Sequence, residues 1–353
     1  MRRRTMILLP FALAGIGAAA SLARRRDEAL ADDLPLGTGF TAQRVAMGTL
    51  WQVVLPAGTP AHAPAAASRA LDEVQRLEDV LSEFRPHTEV SRINASAGGA
   101  PMPVSPDTWF VTEQSLRYAA LSDGAFDPTW AAMRSLWDFR SSAPVPPDAA
   151  AVQARLPLVD WRAVELDPEA RTIRLRRPGM ALGFGGIAKG YALDRMRALL
   201  LDAGVRDFVL YSGGQVMAEG TRGGRPWRVG VQHPRDADAL LGALSITSGS
   251  VSTGGDYEHF FLHAGRRYHH VIDPRTGWPV EHTSSVTIMA RTAIEADALD
   301  TALFVMPPER AMAKARELGV AMLRTDPELH GEMTPAMRAV FEARAPMEAP
   351  GLT

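Results

Sequence analysis

Residues 293–305 (AIEADALDTALFV) have the composition of a helix, yet Asp297, Asp300 and Thr301 interrupt an otherwise almost apolar run. Positions i, i+3 and i+4 lie on one helical face, so the three oxygen-bearing side chains stack together. Adjacent carboxylates repel, and burying either one without a partner is costly. A fold containing this helix must turn its acidic side to water, or else supply a shared proton, a basic partner or a cation. Oxygen-only ligands suit a hard cation such as Mg2+. The helix alone leaves both readings open, the solvated face and the metal site.

The chain has 353 residues, 46% of them hydrophobic, enough for one large domain or two lobes around a sizeable core. Six of its 38 basic residues (Arg2, Arg3, Arg4, Arg24, Arg25, Arg26) fall within residues 1–26, which hold no acid. The remainder sets 32 basic against 40 acidic residues, and a body this acidic argues against nucleic acid as a partner. Residues 1–26 read as an export signal or N-terminal anchor. Arg2–Arg4 form the positive end, Met6–Ala23 the apolar run, and Ser21-Leu22-Ala23 a small-x-small cleavage candidate. Arg3-Arg4 loosely fits the twin-arginine export route. The 18 apolar residues 6–23 also approach the length of a tether to the inner membrane. Both alternatives place the body outside the cytoplasm, in the periplasm of a bacterium. With no cysteine, disulfides, thiolate metal sites and cysteine nucleophiles are excluded.

Residues 27–39 read as a polar linker, 40–345 as the folded body and 346–353 as a tail. Within the body, Arg44–Leu55 reads as one strand containing Met47-Gly48-Thr49. Ala65–Phe84 reads as a helix whose core face carries Leu71, Val74, Leu77, Val80 and Leu81. Ser105-Pro106-Asp107 starts a second helix that stops at Asp123-Gly124. Strands are expected at Ala163–Leu166, Thr172–Leu175, Phe208–Tyr211, Trp227–Gln232, Phe260–His263, Tyr268–Ile272 and Ser285–Ala290. A helix ending at Ala203 is closed by Gly204. The mixture predicts an α+β fold with largely antiparallel sheets rather than a regular parallel one.

Several motifs carry more than one meaning. Gly183-Phe184-Gly185-Gly186-Ile187-Ala188-Lys189-Gly190 opens a helix and imitates a dinucleotide fingerprint, but no βαβ unit begins there. Glycines at a helix start still let backbone N–H groups approach a phosphate, and Lys189 adds a point charge. The chain uses Lys only at 189 and 314, against 36 Arg. Asp127 either caps the following helix or holds a ligand hydroxyl. Five histidines (His259, His263, His269, His270, His282) crowd one region. His259 and His263 read as sharing a strand face, which admits a zinc site, though no accompanying Glu has zinc-protease spacing. His270 is expected on a strand leading into the tight turn Asp273-Pro274-Arg275-Thr276-Gly277, where it serves as a base or satisfies a core hydrogen bond.

Taken in order, the pieces form a series: Met47-Gly48-Thr49, Glu83-Phe84 with Ser91-Arg92-Ile93-Asn94, Gly124 to Thr129 with Leu136-Trp137, Gly185 to Asp194, Gly213-Gly214, Ser252 to Glu258, Tyr268 to Gly277, and Ala296 to Ala302. This series resembles the ApbE family of FAD:protein FMN transferases over roughly residues 40–325. The resemblance implies a two-lobed α+β catalytic domain with FAD between the lobes. It implies FAD as the bound substrate and Mg2+ as the cofactor, with a threonine hydroxyl of an acceptor protein taking the FMN moiety and AMP leaving. It implies Mg2+ ligation by Asp297, Asp300, Thr301 and the Gly186 carbonyl. Met47, Phe84, Ala125, Phe126, Asp127, Lys189 and Ile272 would line the FAD site together with position 183, and His270 would activate the acceptor hydroxyl. The acceptor is expected to be a subunit of a membrane redox complex. Three positions depart from the common pattern: Gly183 replaces an Asp that helps hold FAD, Phe84 a frequent Tyr, and Gly254 a common Ser. Two alternatives stand beside transfer: FAD pyrophosphatase activity giving FMN and AMP, and a non-catalytic FAD-binding protein.

Overall fold

A computed structural model describes residues 39–344. The export segment 1–26, nearly all of the linker 27–39 and the tail 346–353 lie outside the described residues. The centre is an eight-stranded sheet of β1 (Phe40–Ala46), β2 (Thr49–Leu55), β3 (Phe208–Ser212), β4 (Gln215–Glu219), β5 (Ser248–Gly255), β6 (Ser285–Ala290), β7 (Ala321–Thr325) and β8 (Gly331–Met333). Spatial order equals chain order and every pair is antiparallel, so the sheet is a meander whose connections hold the other elements. The α+β, largely antiparallel class is what the sequence predicts.

Both sheet faces are covered, and the strand residues alternate accordingly. Phe208, Leu210, Met217, Val286, Ile288 and Met322 enter a large core under the helices, whereas Val209, Val216, Ala218 and Leu323 enter a second core. The helical layer comprises α1 (Ala63–Leu81), α2 (Pro106–Leu121), α3 (Ala188–Asp202), α4 (Ala293–Val305) and α5 (Pro308–Leu318). The second core lies beneath a smaller sheet of Trp227–His233, Asp236–Ile246 and Phe341–Ala343. Asp236–Ile246, β4, β5, β7 and β8 are absent from the expected strands. β5 (SGSVSTGG) has loop composition and becomes a strand because neighbours pair with both its edges.

Three local expectations change. Arg44–Leu55 is two strands, not one: Met47 (φ 47°) and Gly48 (φ 74°) form a two-residue turn that pairs Ala46 with Thr49. Positive φ at both central residues is the hairpin geometry that matches strand twist. Methionine there hides the turn from sequence patterns. His270 lies on a bend after the strand Arg266–His269 rather than within it. His259 precedes the strand Phe260–His263, so it shares no strand face with His263.

Candidate active site

Helix α4 is fixed before it presents anything. Thr292 caps it, accepting the Glu295 N–H at 3.4 Å. Asp194 on α3 accepts the Ala293 and Ile294 N–H groups at 2.8 and 2.9 Å, and the Gln215 amide on β4 donates to the Ala293 carbonyl at 2.7 Å. Capping the first turn with carboxylate and hydroxyl satisfies otherwise orphaned donors and suits the helix dipole. Helix α3 approaches so closely that a Cβ on Gly190 would collide with the Ala293 carbonyl. That proximity lets the Gly190 N–H donate to Asp297 Oδ2 at 2.9 Å.

The acidic side of α4 does not face water. Asp297 is 3% and Asp300 6% exposed. Ser252 on β5 donates to Asp300 Oδ2, and the Thr301 hydroxyl donates to Asp300 Oδ1 at 3.1 Å. Lys189 Nζ stands 3.6 Å from Asp297 Oδ1 and donates to the Gly185 carbonyl at 2.8 Å. Burial, and next the charge of Asp297, push the Asp300 carboxyl up to about 7, against the pull of Ser252 and Lys189. Gly186 meets the cluster: a Cβ there would lie 2.8 Å from Thr301 Oγ1 and 3.3 Å from the Phe126 ring. Two buried carboxylates with one lysine leave net negative charge lined by oxygen donors. The residues present therefore fit a hard divalent cation, with Asp297, Asp300, Thr301 and the Gly186 carbonyl able to hold it.

His270 lies close enough to Lys189 to feel its charge. Its backbone N–H donates to the His259 carbonyl at 3.0 Å, and the two rings meet edge-on at 5.3 Å. Its Nδ1 is shielded from solvent and has no partner. Burial, and secondarily the neighbouring His259 and His269, push its pKa down to about 3; Lys189 acts in the same direction. Adjacent His269 is fixed by a hydrogen bond between its Nε2 and the Val280 carbonyl at 2.6 Å, and its ring packs edge-on against Phe304 of α4. The imidazole of His270 is thus neutral, poised near Lys189, with an unused nitrogen.

The expected FAD residues divide into two groups. Phe126 and Lys189 gather at the acidic cluster, beside the expected metal ligand Gly186. Met47 turns at the same sheet end, where Gly213 faces Thr49 and Gly214 faces the Thr253 carbonyl. Phe84, just past α1, is 74% exposed despite its size. Ala125 is buried, and Ile272 packs with Trp137, Phe261 and Tyr268 in a small aromatic core. Asp127 is committed: it accepts from the Thr129 N–H (2.8 Å), the Thr129 hydroxyl (2.6 Å) and the Trp161 N–H (3.1 Å). Its carboxylate caps the 3-10 helix Pro128–Leu136, while the Phe126 N–H donates to the Ser122 hydroxyl at 3.0 Å. Gly183 has no side chain to offer, and the space beside its Cα holds Glu83 and Arg134. Sequence reasoning gave no role to Ser252, Glu83 or Arg134. Ser252 and Glu83 stand within recognised blocks, but no local signal ties either to its distant partner.

The ApbE family model matches residues 47–323. The chain belongs to the ApbE family. Two curated ApbE relatives are named FAD:protein FMN transferase. One from Klebsiella pneumoniae is 35% identical over 258 residues, 72% of this chain and 80% of that protein. One from Treponema pallidum is 34% identical over 328 residues, 86% of each. Among solved ApbE structures, the Thermotoga maritima ApbE protein aligns with TM-score 0.80 at 29% identity, covering 86% of this chain and all of that one. The apo flavinyl transferase from Pseudomonas stutzeri aligns with TM-score 0.77 at 29% identity, covering 88% of this chain and all of that one.

Proposed function

We propose that the protein transfers the FMN moiety of FAD to a threonine hydroxyl of an acceptor protein in a Mg2+-dependent reaction that releases AMP. The observation that carries this reading is the oxygen cluster of buried Asp297 and Asp300 with half-buried Thr301 beside them, lying against Gly186. His270, whose Nδ1 has no partner, is close enough to Lys189 to feel its charge. The names of the relatives support FAD and a protein acceptor.

Bound in this site, Mg2+ would neutralise charge developing on the pyrophosphate. The chain's own residues do the rest. Lys189 draws the pyrophosphate to the Gly185-Gly186 turn, where the absence of side chains lets the backbone approach it closely. His270 accepts the threonine proton as the hydroxyl oxygen bonds to the FMN-side phosphorus. The bond from that phosphorus to the bridging oxygen breaks, and AMP departs with both electrons. A neutral histidine is the required protonation state, and the negative charge of bound pyrophosphate raises its low proton affinity. The six-arginine, acid-free segment 1–26 supports an exported, periplasmic enzyme whose acceptor is a subunit of a membrane redox complex.

Incubation with FAD, MgCl2 and a threonine-bearing acceptor tests the reading on a denaturing gel. A fluorescent acceptor band is expected. AMP and free FMN without a labelled band would identify a FAD pyrophosphatase instead. Bound FAD with neither product would identify a carrier.

A further inference from the structure

We propose that Glu83, whose side chain is buried, and the half-buried Arg134 form a positioning pair that backs Phe84 as a stacking face for a planar ring of the dinucleotide, in room left by Gly183. The proposal rests on the reading of this site as FAD-binding. It assigns that site residues of this chain's own.

An exposed phenylalanine alone would carry nothing, because single apolar residues at a surface are ordinary. What stands behind Phe84 is unusual. Glu83 has only 7% of its side chain exposed and forms an ion pair with Arg134. Its Oε2 also accepts the Phe184 N–H at 3.0 Å, tying the pair to the Gly-rich turn before α3. Burial pushes the Glu83 carboxyl up, while Arg134 and that N–H pull it down. The guanidinium of Arg134 lies over the Phe84 ring at 4.7 Å and over the Trp130 ring at 5.6 Å. Replacing a buried ion pair by apolar packing is often neutral or stabilising, so bulk stability does not account for the pair. It does fix where a flat cation sits, and the cation fixes a ring through its π face.

Gly183 completes the arrangement. A Cβ there would lie 2.6 Å from Arg134 Nη2, 2.7 Å from Glu83 Oε2 and 2.9 Å from Ala131 Cβ. Any side chain at 183 must therefore displace the pair. The carboxylate absent from position 183 is matched by one arriving from position 83 into the adjoining space. Segment 82–88 is itself held, since the Thr88 hydroxyl donates to the Arg85 carbonyl at 3.1 Å and also to that of Ser82. The outer face of Phe84 is thus a rigid apolar plate beside positive charge. Such a plate fits an offset-stacked planar ring next to a pyrophosphate, either the flavin or the adenine.

Titration of the intact protein with FAD, FMN and AMP, read by flavin and tryptophan fluorescence, tests the pair and identifies the ring. Arg134→Leu should weaken FAD binding about five- to twentyfold. The same loss should appear for FMN or for AMP, whichever carries the stacked ring. KM for FAD should rise with kcat at saturating FAD nearly unchanged. Because Arg134→Leu leaves Glu83 without its cation, the melting temperature should fall. The double variant Glu83→Gln/Arg134→Leu, which removes both charges, should melt close to wild type with the same loss of affinity. Arg134→Lys, which keeps the charge and loses the planar fork, should recover part of the affinity. Gly183→Ala should lower FAD affinity in the same direction, because the added methyl forces the ends of Glu83 and Arg134 to shift. Unchanged FAD affinity in Arg134→Leu overturns the proposal, as does a fall in kcat with KM unaltered. If the wild type binds FAD and the variants bind it weakly, but no acceptor is ever labelled, the pair stands and the transfer reading falls. If the wild type labels acceptor and Arg134→Leu binds FAD normally, the reverse holds.

Discussion

Replacing Asp300 by asparagine removes one buried charge without changing the side chain's shape, and its effect on stability depends on pH in a defined way. The Asp300 carboxyl is pushed from 3.8 to about 7 by burial and by Asp297. Between those values the folded state holds the proton and the unfolded state releases it. Stability therefore falls as pH rises from about 4 to 7 and is flat above. The full penalty for carrying the charge at pH 8 is about 4 kcal/mol. Asparagine escapes it but weakens the hydrogen bonds from Ser252 and Thr301, each worth about 1 kcal/mol. The metal-free variant should then be more stable than wild type at pH 8 by about 2 kcal/mol, on the order of 5 °C in Tm. The gap should close or reverse at pH 5, where wild-type Asp300 is protonated. MgCl2 should raise the wild-type Tm at pH 8, by about 2.7 kcal/mol of stability at a hundredfold excess over Kd, and leave the variant nearly unmoved. Differential scanning calorimetry with EDTA or MgCl2 at both pH values measures all four quantities. Equal Mg2+ shifts in the two proteins, or a stability difference independent of pH, would refute the assignment of this carboxylate.

His270→Gln should lower single-turnover transfer at least about a hundredfold while FAD affinity stays within a few-fold, measured by rapid-quench assay and fluorescence titration. The same variant should flatten the acid side of the stability profile. The folded pKa of His270, about 3, lies below its ordinary 6.5, so the unfolded state binds the extra proton in that window and wild-type stability drops as pH falls through it. Urea melts between pH 7 and 4 check this, and parallel profiles would contradict it. Gly190→Ala should cost about 1–3 kcal/mol by forcing α3 from the Ala293 carbonyl, and should also loosen Asp297 and blunt the Mg2+ shift. A variant with wild-type stability and Mg2+ response would show that the two helices are free to separate.

Helices were legible where periodicity and caps agree. Leu71, Val74, Leu77 and Leu81 mark the buried face of α1, and Ser105-Pro106 starts α2. The sheet was harder, because β5 has a loop's composition. Its small residues suit close packing under α4, where a Cβ on Gly254 would stand 3.8 Å from Asp300. The Met47-Gly48 turn was hidden because its backbone geometry, not its residue type, makes the hairpin. The acidic motif was visible from i, i+3, i+4 spacing, but its burial was not. That depends on β5, α3 and Gly190, which lie far away in sequence. Glu83 and Arg134 could not be paired from sequence at all, since the contact joins segments 51 positions apart through the space beside a third, Gly183.

The most direct test of the central claim is a stoichiometric one. The intact protein is incubated with FAD, MgCl2 and a threonine-bearing acceptor, and AMP release is counted against covalent FMN located by mass spectrometry. The account predicts one AMP per FMN ester on a threonine, abolished by EDTA and by Asp300→Asn. AMP exceeding bound FMN severalfold, or labelling that persists in EDTA, would contradict it.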